Sequence, residues 1–306
     1  MRIWKTAALG WLATLALGCS PLKLDDVLYD PLKAPAGGYQ LSTAVIPAAT
    51  EVTITTTDGQ TLQGYFIPAG GARADVTLIY FHGRSNNVGT SWPRLEYLYP
   101  LGCNILAVDV RGYGLSTGSP DEAGIDLDVK AIWDFADGDG TDPAPVPAKV
   151  SRDHIIVYGR SLGAAFAIQL AYAESGSGEL VPPAVLLTES AFTSVAALVQ
   201  DGVYVDLPTG FVARSRWDNL AKIGNVHAAY LALHGTADDY VQPRYSQELT
   251  TAHATALPLL VSDYIAVPGA DHDDVPELSP LATYQAELGN LLNTIPLAPP
   301  AVTPAP

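Results

Sequence analysis

His154-Ile155-Ile156-Val157-Tyr158-Gly159-Arg160-Ser161-Leu162-Gly163-Ala164-Ala165 runs from a β-branched apolar stretch through G-x-S-x-G into small, helix-compatible residues. This is the composition of a nucleophile elbow, a serine on a sharp strand-to-helix turn whose flanking glycines let the two backbones approach closely. Ser161 is the candidate nucleophile. The Leu162 amide, at the start of the following helix, is a candidate donor to an oxyanion.

Working outward, the chain alternates strand and helix patterns from about Glu51. Glu51–Thr57 and Thr61–Pro68 flank Asp58-Gly59, a hairpin signal. Asp75–Phe81, Asn104–Val110, His154–Tyr158, Ala184–Thr188, Ala228–Leu233 and Tyr264–Val267 are short apolar runs of the kind buried on both faces of a parallel sheet. Between them lie helical periods at Trp92–Leu101, Ala123–Ala136, Leu162–Glu174, Ser194–Gly202, Pro243–Ala256 and Pro280–Leu292. The succession predicts an α/β fold, a doubly wound and mostly parallel sheet preceded by an antiparallel hairpin. About forty residues separate Glu189 from His227, too few for a large lid.

A serine hydroxyl is a poor nucleophile, so a base and an orienting acid are expected downstream, in the order Ser, Asp, His. Leu231-Ala232-Leu233-His234-Gly235-Thr236-Ala237-Asp238 ends a strand with an acid, and Pro268-Gly269-Ala270-Asp271-His272 does so with a histidine. Both lie at the carboxyl edge of the sheet, where ligands bind in open α/β folds. Asp238 is therefore assigned as the orienting acid and His272 as general base and then acid, with Asp239 and Glu189 as rival acids. His82 and His234 are expected to bond turn backbone, and His154, His227 and His253 to lie at the surface. Tyr80-Phe81-His82-Gly83-Arg84 follows the first parallel strand and offers the Arg84 amide as the second oxyanion donor. A core role is the default expectation for Trp92, Tyr113, Phe192 and Trp217, and each is also a candidate to line the substrate pocket.

Four motifs together carry a resemblance. His82-Gly83-x-x-Asn86-Asn87-x-Gly89, Asp109-x-Arg111-Gly112-Tyr113-Gly114-x-Ser116-x-Gly118-x-Pro120, Gly159-Arg160-Ser161-Leu162-Gly163 and His234-Gly235-Thr236-x-Asp238 resemble the α/β-hydrolase superfamily. The similarity is greatest to its serine-aminopeptidase-like and acyl-protein depalmitoylase-like branch, and it covers about Glu51 to Leu292. It implies hydrolysis of an ester, thioester or amide with no metal or organic cofactor. That branch usually has Asn where Arg84 stands. Because the donor is a backbone amide, the change adds a cation at the pocket rim without removing the donor. An ester or thioester of small or surface-borne acyl groups is the expected substrate, with a peptidase or a non-catalytic envelope binding protein as the alternatives.

Two other motifs fail on inspection. Gly112-Tyr113-Gly114 resembles a dinucleotide loop, but Thr117 stands where the third glycine belongs. Asp137-Gly138-Asp139-Gly140-Thr141-Asp142 lacks the sixth-position Gly and the twelfth-position Glu of a calcium loop, with Asp142 and Ala148 in those places.

Thirty-two acidic against sixteen basic residues give a formal charge of −16, a surface that repels phosphate backbones and argues against nucleic-acid partners. Nothing in the sequence speaks to oligomeric state. Cys19 and Cys103 form no CxxC pair, so neither a disulfide framework nor a thiolate metal site is expected. Residues 1–18 read as an export signal, with Arg2 and Lys5 before the apolar stretch Ala7–Leu17, which is too short to span a bilayer. Ala16-Leu17-Gly18-Cys19 resembles a bacterial lipoprotein processing box. The expectation is lipidation at Cys19 and a location in the cell envelope, in the outer membrane if the host is Gram-negative. The organisation expected after the signal is a tether over 19–47, a hydrolase domain over 48–295 and a Pro-rich tail over 296–306.

Overall fold

The computed structural model describes residues 27–71, 73–137, 150–176, 182–202 and 214–278, with a few isolated positions beyond. The signal segment, Cys19, most of Pro280–Leu292 and the Pro-rich tail lie outside the described residues. So does all but Asp137 of the acidic loop.

Eight strands form one sheet: β1 Thr50–Thr55, β2 Thr61–Ile67, β3 Arg73–Phe81, β4 Cys103–Asp109, β5 Ile155–Arg160, β6 Val185–Glu189, β7 Ala229–Gly235 and β8 Ser262–Val267, in the order β1-β2-β4-β3-β5-β6-β7-β8. The first two pair as an antiparallel hairpin, closed by Thr56 N donating to Gln60 O, and β2 pairs antiparallel with β4. From β4 to β8 every pairing is parallel. The sequence dictates this split. β4, β5 and β6 are apolar at nearly every position and are buried throughout, whereas β1 alternates between exposed and buried residues, as a strand with one wet face must. β8, expected to be buried on both faces, is instead the last strand of the sheet and is mostly half-exposed.

Helices cover both faces. α1 Trp92–Leu98 and α7 Val275–Leu278 pack on one face through Trp92, Leu95, Leu98 and Val275. The other face carries α2 Glu122–Ala136, α3 Leu162–Ser175, α4 Val195–Gly202, α5 Asn219–Ile223 and α6 Arg244–Ala256. α3 is apolar nearly all round, so it sits at the centre of that layer. The Asp121 side chain caps the start of α2 by accepting from Gly124 N. α1 stops at Leu98, and the expected helix continues to Leu101 only as a 3-10 turn around Pro100. Between β6 and β7 lie α4 and α5, with residues 203–213 outside the described set. Among the described residues no helix is long and apolar enough to cross a membrane.

The lead-in segment differs from the tether expected over 19–47. From residue 27 it is part of the folded body: Tyr29 and Ile46 are buried, Trp217 Nε1 donates to Tyr29 Oη at 2.9 Å, and Tyr39 Oη donates to Asp109 Oδ2 at 2.6 Å. A composition rich in Pro and Gly concealed these anchors, since each aromatic ring buries a large apolar area wherever it finds a groove.

Candidate active site

The elbow is built where β5 hands over to α3. Ser161 has φ 55° and ψ −119°, a region that non-glycine residues rarely occupy, and its amide donates to Glu189 O at 2.8 Å. The glycines allow the close passage. A Cβ on Gly159 would fall 2.1 Å from Gly163 O, and one on Gly163 would fall 2.3 Å from Phe81 O. Any larger side chain would push helix from strand and move the serine off its perch.

Ser161, His272 and Asp238 meet at the carboxyl edge. Ser161 Oγ donates to His272 Nε2 at 2.9 Å, and His272 Nδ1 donates to Asp238 Oδ2 at 2.8 Å. Asp238 also accepts from Val241 N at 2.8 Å and Tyr240 N at 3.0 Å, while His234 Nε2 lies 3.1 Å from its Oδ2. Burial alone would raise the Asp238 carboxyl. The hydrogen bonds from His234 and His272, the charge of His272 and the Val241 amide outweigh it and hold the group well below the usual carboxylate range. An ionised Asp238 keeps the His272 proton on Nδ1 and leaves Nε2 free to accept from Ser161.

The loop after β3 closes over the serine. A Cβ on Gly83 would sit 3.5 Å from Ser161 Cβ, so Arg84 follows directly beside the nucleophile. Asp109, at the end of β4, pins this loop by accepting from Val88 N at 2.8 Å. Leu162 opens α3, where a backbone amide has no intrahelical partner, and Arg84 follows Gly83 in the loop beside Ser161. The Arg84 side chain turns outward, donating to Val27 O at 2.9 Å and lying 5.9 Å from the Tyr240 ring. Tyr240 in turn packs edge-on against His272, with ring centres 5.0 Å apart.

The rival acids sit elsewhere. Asp239 is exposed, while His272 bonds to its neighbour Asp238, and the fully buried Glu189 is taken up by Arg94 at 2.6 and 2.8 Å. The four aromatic candidates for pocket lining are all core residues. Trp92 donates to Ser42 O, Tyr113 packs on His82, Phe192 is buried and its carbonyl accepts from Asn219 Nδ2, and Trp217 packs on Phe166. Large rings gain most by full burial, and the half-exposed ring beside the triad is Tyr240, which the sequence reading passed over. His253 and His154 were expected at the surface and are buried. His253 bonds to Ser262 Oγ and Val226 O, whereas His227 is exposed as expected. His234 bonds to Val241 O, as a turn histidine should, but also supports Asp238. Its spacing of four from Asp238 was the available signal.

Comparisons with known proteins agree with this architecture. No protein-family model matches the chain. It is 32% identical over 244 residues to the uncharacterized protein Rv2307c of Mycobacterium tuberculosis, covering 79% of each chain. It is 27% identical over 244 residues to the alpha/beta hydrolase domain-containing protein WAV2 of Arabidopsis thaliana, covering 73% of this chain and 72% of the relative. Among solved structures, the Pyrococcus furiosus esterase Pf2001 superposes with a TM-score of 0.63 at 22% identity, covering 87% of this chain and 98% of the esterase. With its mostly parallel sheet, its antiparallel hairpin and its superposition on the Pyrococcus furiosus esterase, the chain has the α/β-hydrolase fold.

Proposed function

We propose that the protein is a serine hydrolase that cleaves a carboxylic ester or thioester through an acyl-enzyme on Ser161. The observation that carries the reading is the unbroken chain Ser161 Oγ to His272 Nε2 to Asp238, at 2.9 and 2.8 Å. His272 Nε2 takes the hydroxyl proton as Oγ attacks the substrate carbonyl. The Arg84 and Leu162 amides stabilise the oxyanion, which carries more charge in the transition state than in the bound ester. The tetrahedral species collapses as His272 returns its proton to the leaving alcohol or thiol. Water then repeats the cycle on the acyl-enzyme, with His272 again as base. The esterase named among the structural neighbours is consistent with an ester substrate. The segment between β6 and β7 is short, which favours small or surface-borne acyl groups. We further propose that Cys19 carries a lipid that holds the mature protein at the cell envelope; Cys19→Ser should then release it from membranes in a fractionation assay.

A fluorophosphonate probe should label the full chain, and p-nitrophenyl esters of short acyl chains should be turned over faster than aminoacyl amides. Ser161→Ala should remove labelling and lower turnover about 10⁴-fold or more, as in other triads. Labelling that survives this substitution would refute the acyl-enzyme.

A further inference from the structure

Beneath the triad lies a cluster of charges that the reaction just described does not use. Arg160, the variable residue inside Gly159-Arg160-Ser161, is buried and reaches three partners in two loops. Its guanidinium donates to the main-chain carbonyl of His272 at 2.8 Å, pairs with the Asp273 carboxylate, and donates to Asn86 Oδ1 at 3.1 Å in the oxyanion loop. Arg94, from α1, donates to the next carbonyl, Asp273 O, at 2.7 Å. Between the two guanidiniums sits Glu189, fully buried, 2.6 Å from Arg94 and 3.6 Å from Arg160, and it also accepts from Tyr158 Oη. Two cations and two carboxylates match, so the cluster carries no uncompensated charge into the interior.

We propose that Arg160 is a positioning residue, which with Arg94 and Glu189 sets the placement of the His272 loop against Ser161 and ties it to the oxyanion loop. The inference rests on His272 being the general base. The loop is anchored before His272, where Ala270 is buried and its carbonyl accepts from Ala237 N at 2.8 Å, but Asp271 and Asp273 on either side of the histidine are exposed, and the bonds there are short-range turns from Asp273 N to Asp271 Oδ1 and from Asp271 N to Asp274 Oδ1. Two consecutive carbonyls gripped by two guanidiniums supply what packing does not. Arg is required for this. A planar fork can serve His272 O, Asp273 and Asn86 together, while a lysine ammonium keeps the charge but cannot span those directions. Because acyl transfer depends on a near-attack geometry, a displacement of His272 by about 1 Å is enough to cost on the order of 10²-fold.

The test uses the full chain with a p-nitrophenyl ester and active-site titration by the fluorophosphonate. Arg160→Lys should lower kcat by roughly 10- to 100-fold with KM changed by less than about 3-fold, and every molecule should still be labelled, more slowly. Asp273→Asn, at a side chain 82% exposed and so harmless to folding, should lower kcat by a smaller factor, about 3- to 10-fold. Wild-type kcat in Asp273→Asn together with wild-type kcat in folded Arg160→Lys would overturn the inference. So would a titration in which fewer Arg160→Lys molecules are labelled at the wild-type rate, since that is loss of fold and not of geometry. If Arg160→Lys does not fold, Asp273→Asn alone decides. Ser161→Ala and His272→Ala run in parallel keep the two readings apart. If they are dead while the Arg160 and Asp273 variants are unimpaired, the positioning role falls and the hydrolase stands; if they are active, both fall.

Discussion

Ser161 and His272 meet at 2.9 Å, yet the chain holds them by different means. The serine is fixed by backbone alone: a strained φ, an amide bonded to Glu189 O, and a helix and strand that pass too closely for any side chain at Gly159 or Gly163. The residues that make its turn possible, Gly159 and Gly163, lie within two of it in sequence, and what they pass closely is main chain. The histidine sits on an irregular loop with exposed acids on either side; a backbone bond from Ala237 N holds Ala270 just before it, and at and beyond the histidine its fixed points are Asp238 and the guanidiniums of Arg94 and Arg160, which Glu189 pairs. Steric constraint is short-range and unconditional. Ionic constraint reaches across the fold, but holds only while each charge keeps its partner.

The sharpest way to break the elbow is to give it a side chain. Gly163→Val should leave no soluble native protein or, failing that, a variant with at least about 10⁴-fold lower turnover, because a Cβ would press on Phe81 O and His82 O at 2.3 and 2.5 Å. Expression yield, near-UV circular dichroism and fluorophosphonate labelling would read this out. A folded, active Gly163→Val enzyme would show that the approach of helix and strand does not fix the nucleophile.

On the histidine's side the expected loss depends on which charge is removed. Asp238→Asn leaves the site's shape but offers His272 an amide in place of a carboxylate, and kcat should fall by about 10³- to 10⁴-fold. Asp239→Asn should stay within about 2-fold, because that side chain is exposed and makes no contact with His272. Steady-state kinetics on the two purified variants makes the comparison, and the opposite ranking would move the orienting role to Asp239.

The elbow and the coarse fold were legible in the sequence because both are local. Apolar runs, a hairpin turn and a glycine pair declare themselves in windows of ten residues, and the Ser, Asp, His order follows from the strand succession. The charge cluster was not legible. Arg94, Arg160, Glu189 and Asp273 look like ordinary surface or rim residues until the sheet brings residues 94, 160, 189 and 273 together. Burial of His253 and of Tyr29 was hidden for the same reason, since each is covered by elements distant in sequence. The core role expected by default for Trp92, Tyr113, Phe192 and Trp217 was legible from their size alone, because large rings gain most by burial.

The smallest effect separates matched from unmatched carboxylates. Glu189 is fully buried between two arginines, whereas Asp126 on α2 is half-buried with an Oδ1 that has no hydrogen-bond partner among the described residues. Burial pushes its carboxyl up to about 6, with Lys222 pulling down and Glu122 pushing up more weakly. A raised acid destabilises the fold only where it must ionise. The cost is absent below the unfolded value near 4, grows as pH rises towards 6 and is complete above it. Asp126→Asn should therefore raise stability by about 1 kcal/mol at pH 7.5, after allowance for its partial exposure, and by almost nothing near pH 4. Urea unfolding at the two pH values measures it, and an equal gain at both would remove the titration as its cause. Turnover should not change.

The lead-in segment also sets a distance. Val27, the first described residue, accepts through its carbonyl from the Arg84 side chain, one residue past Gly83, so this stretch of chain lies close to the nucleophile. Only eight residue steps separate Val27 from Cys19, and at about 3.5 Å per residue an extended chain covers no more than about 28 Å. With a lipid at Cys19 as proposed, the enzyme is on a short leash. Its opening stays within roughly one protein diameter of the bilayer, so the molecules it meets most often are those carried in that thin layer.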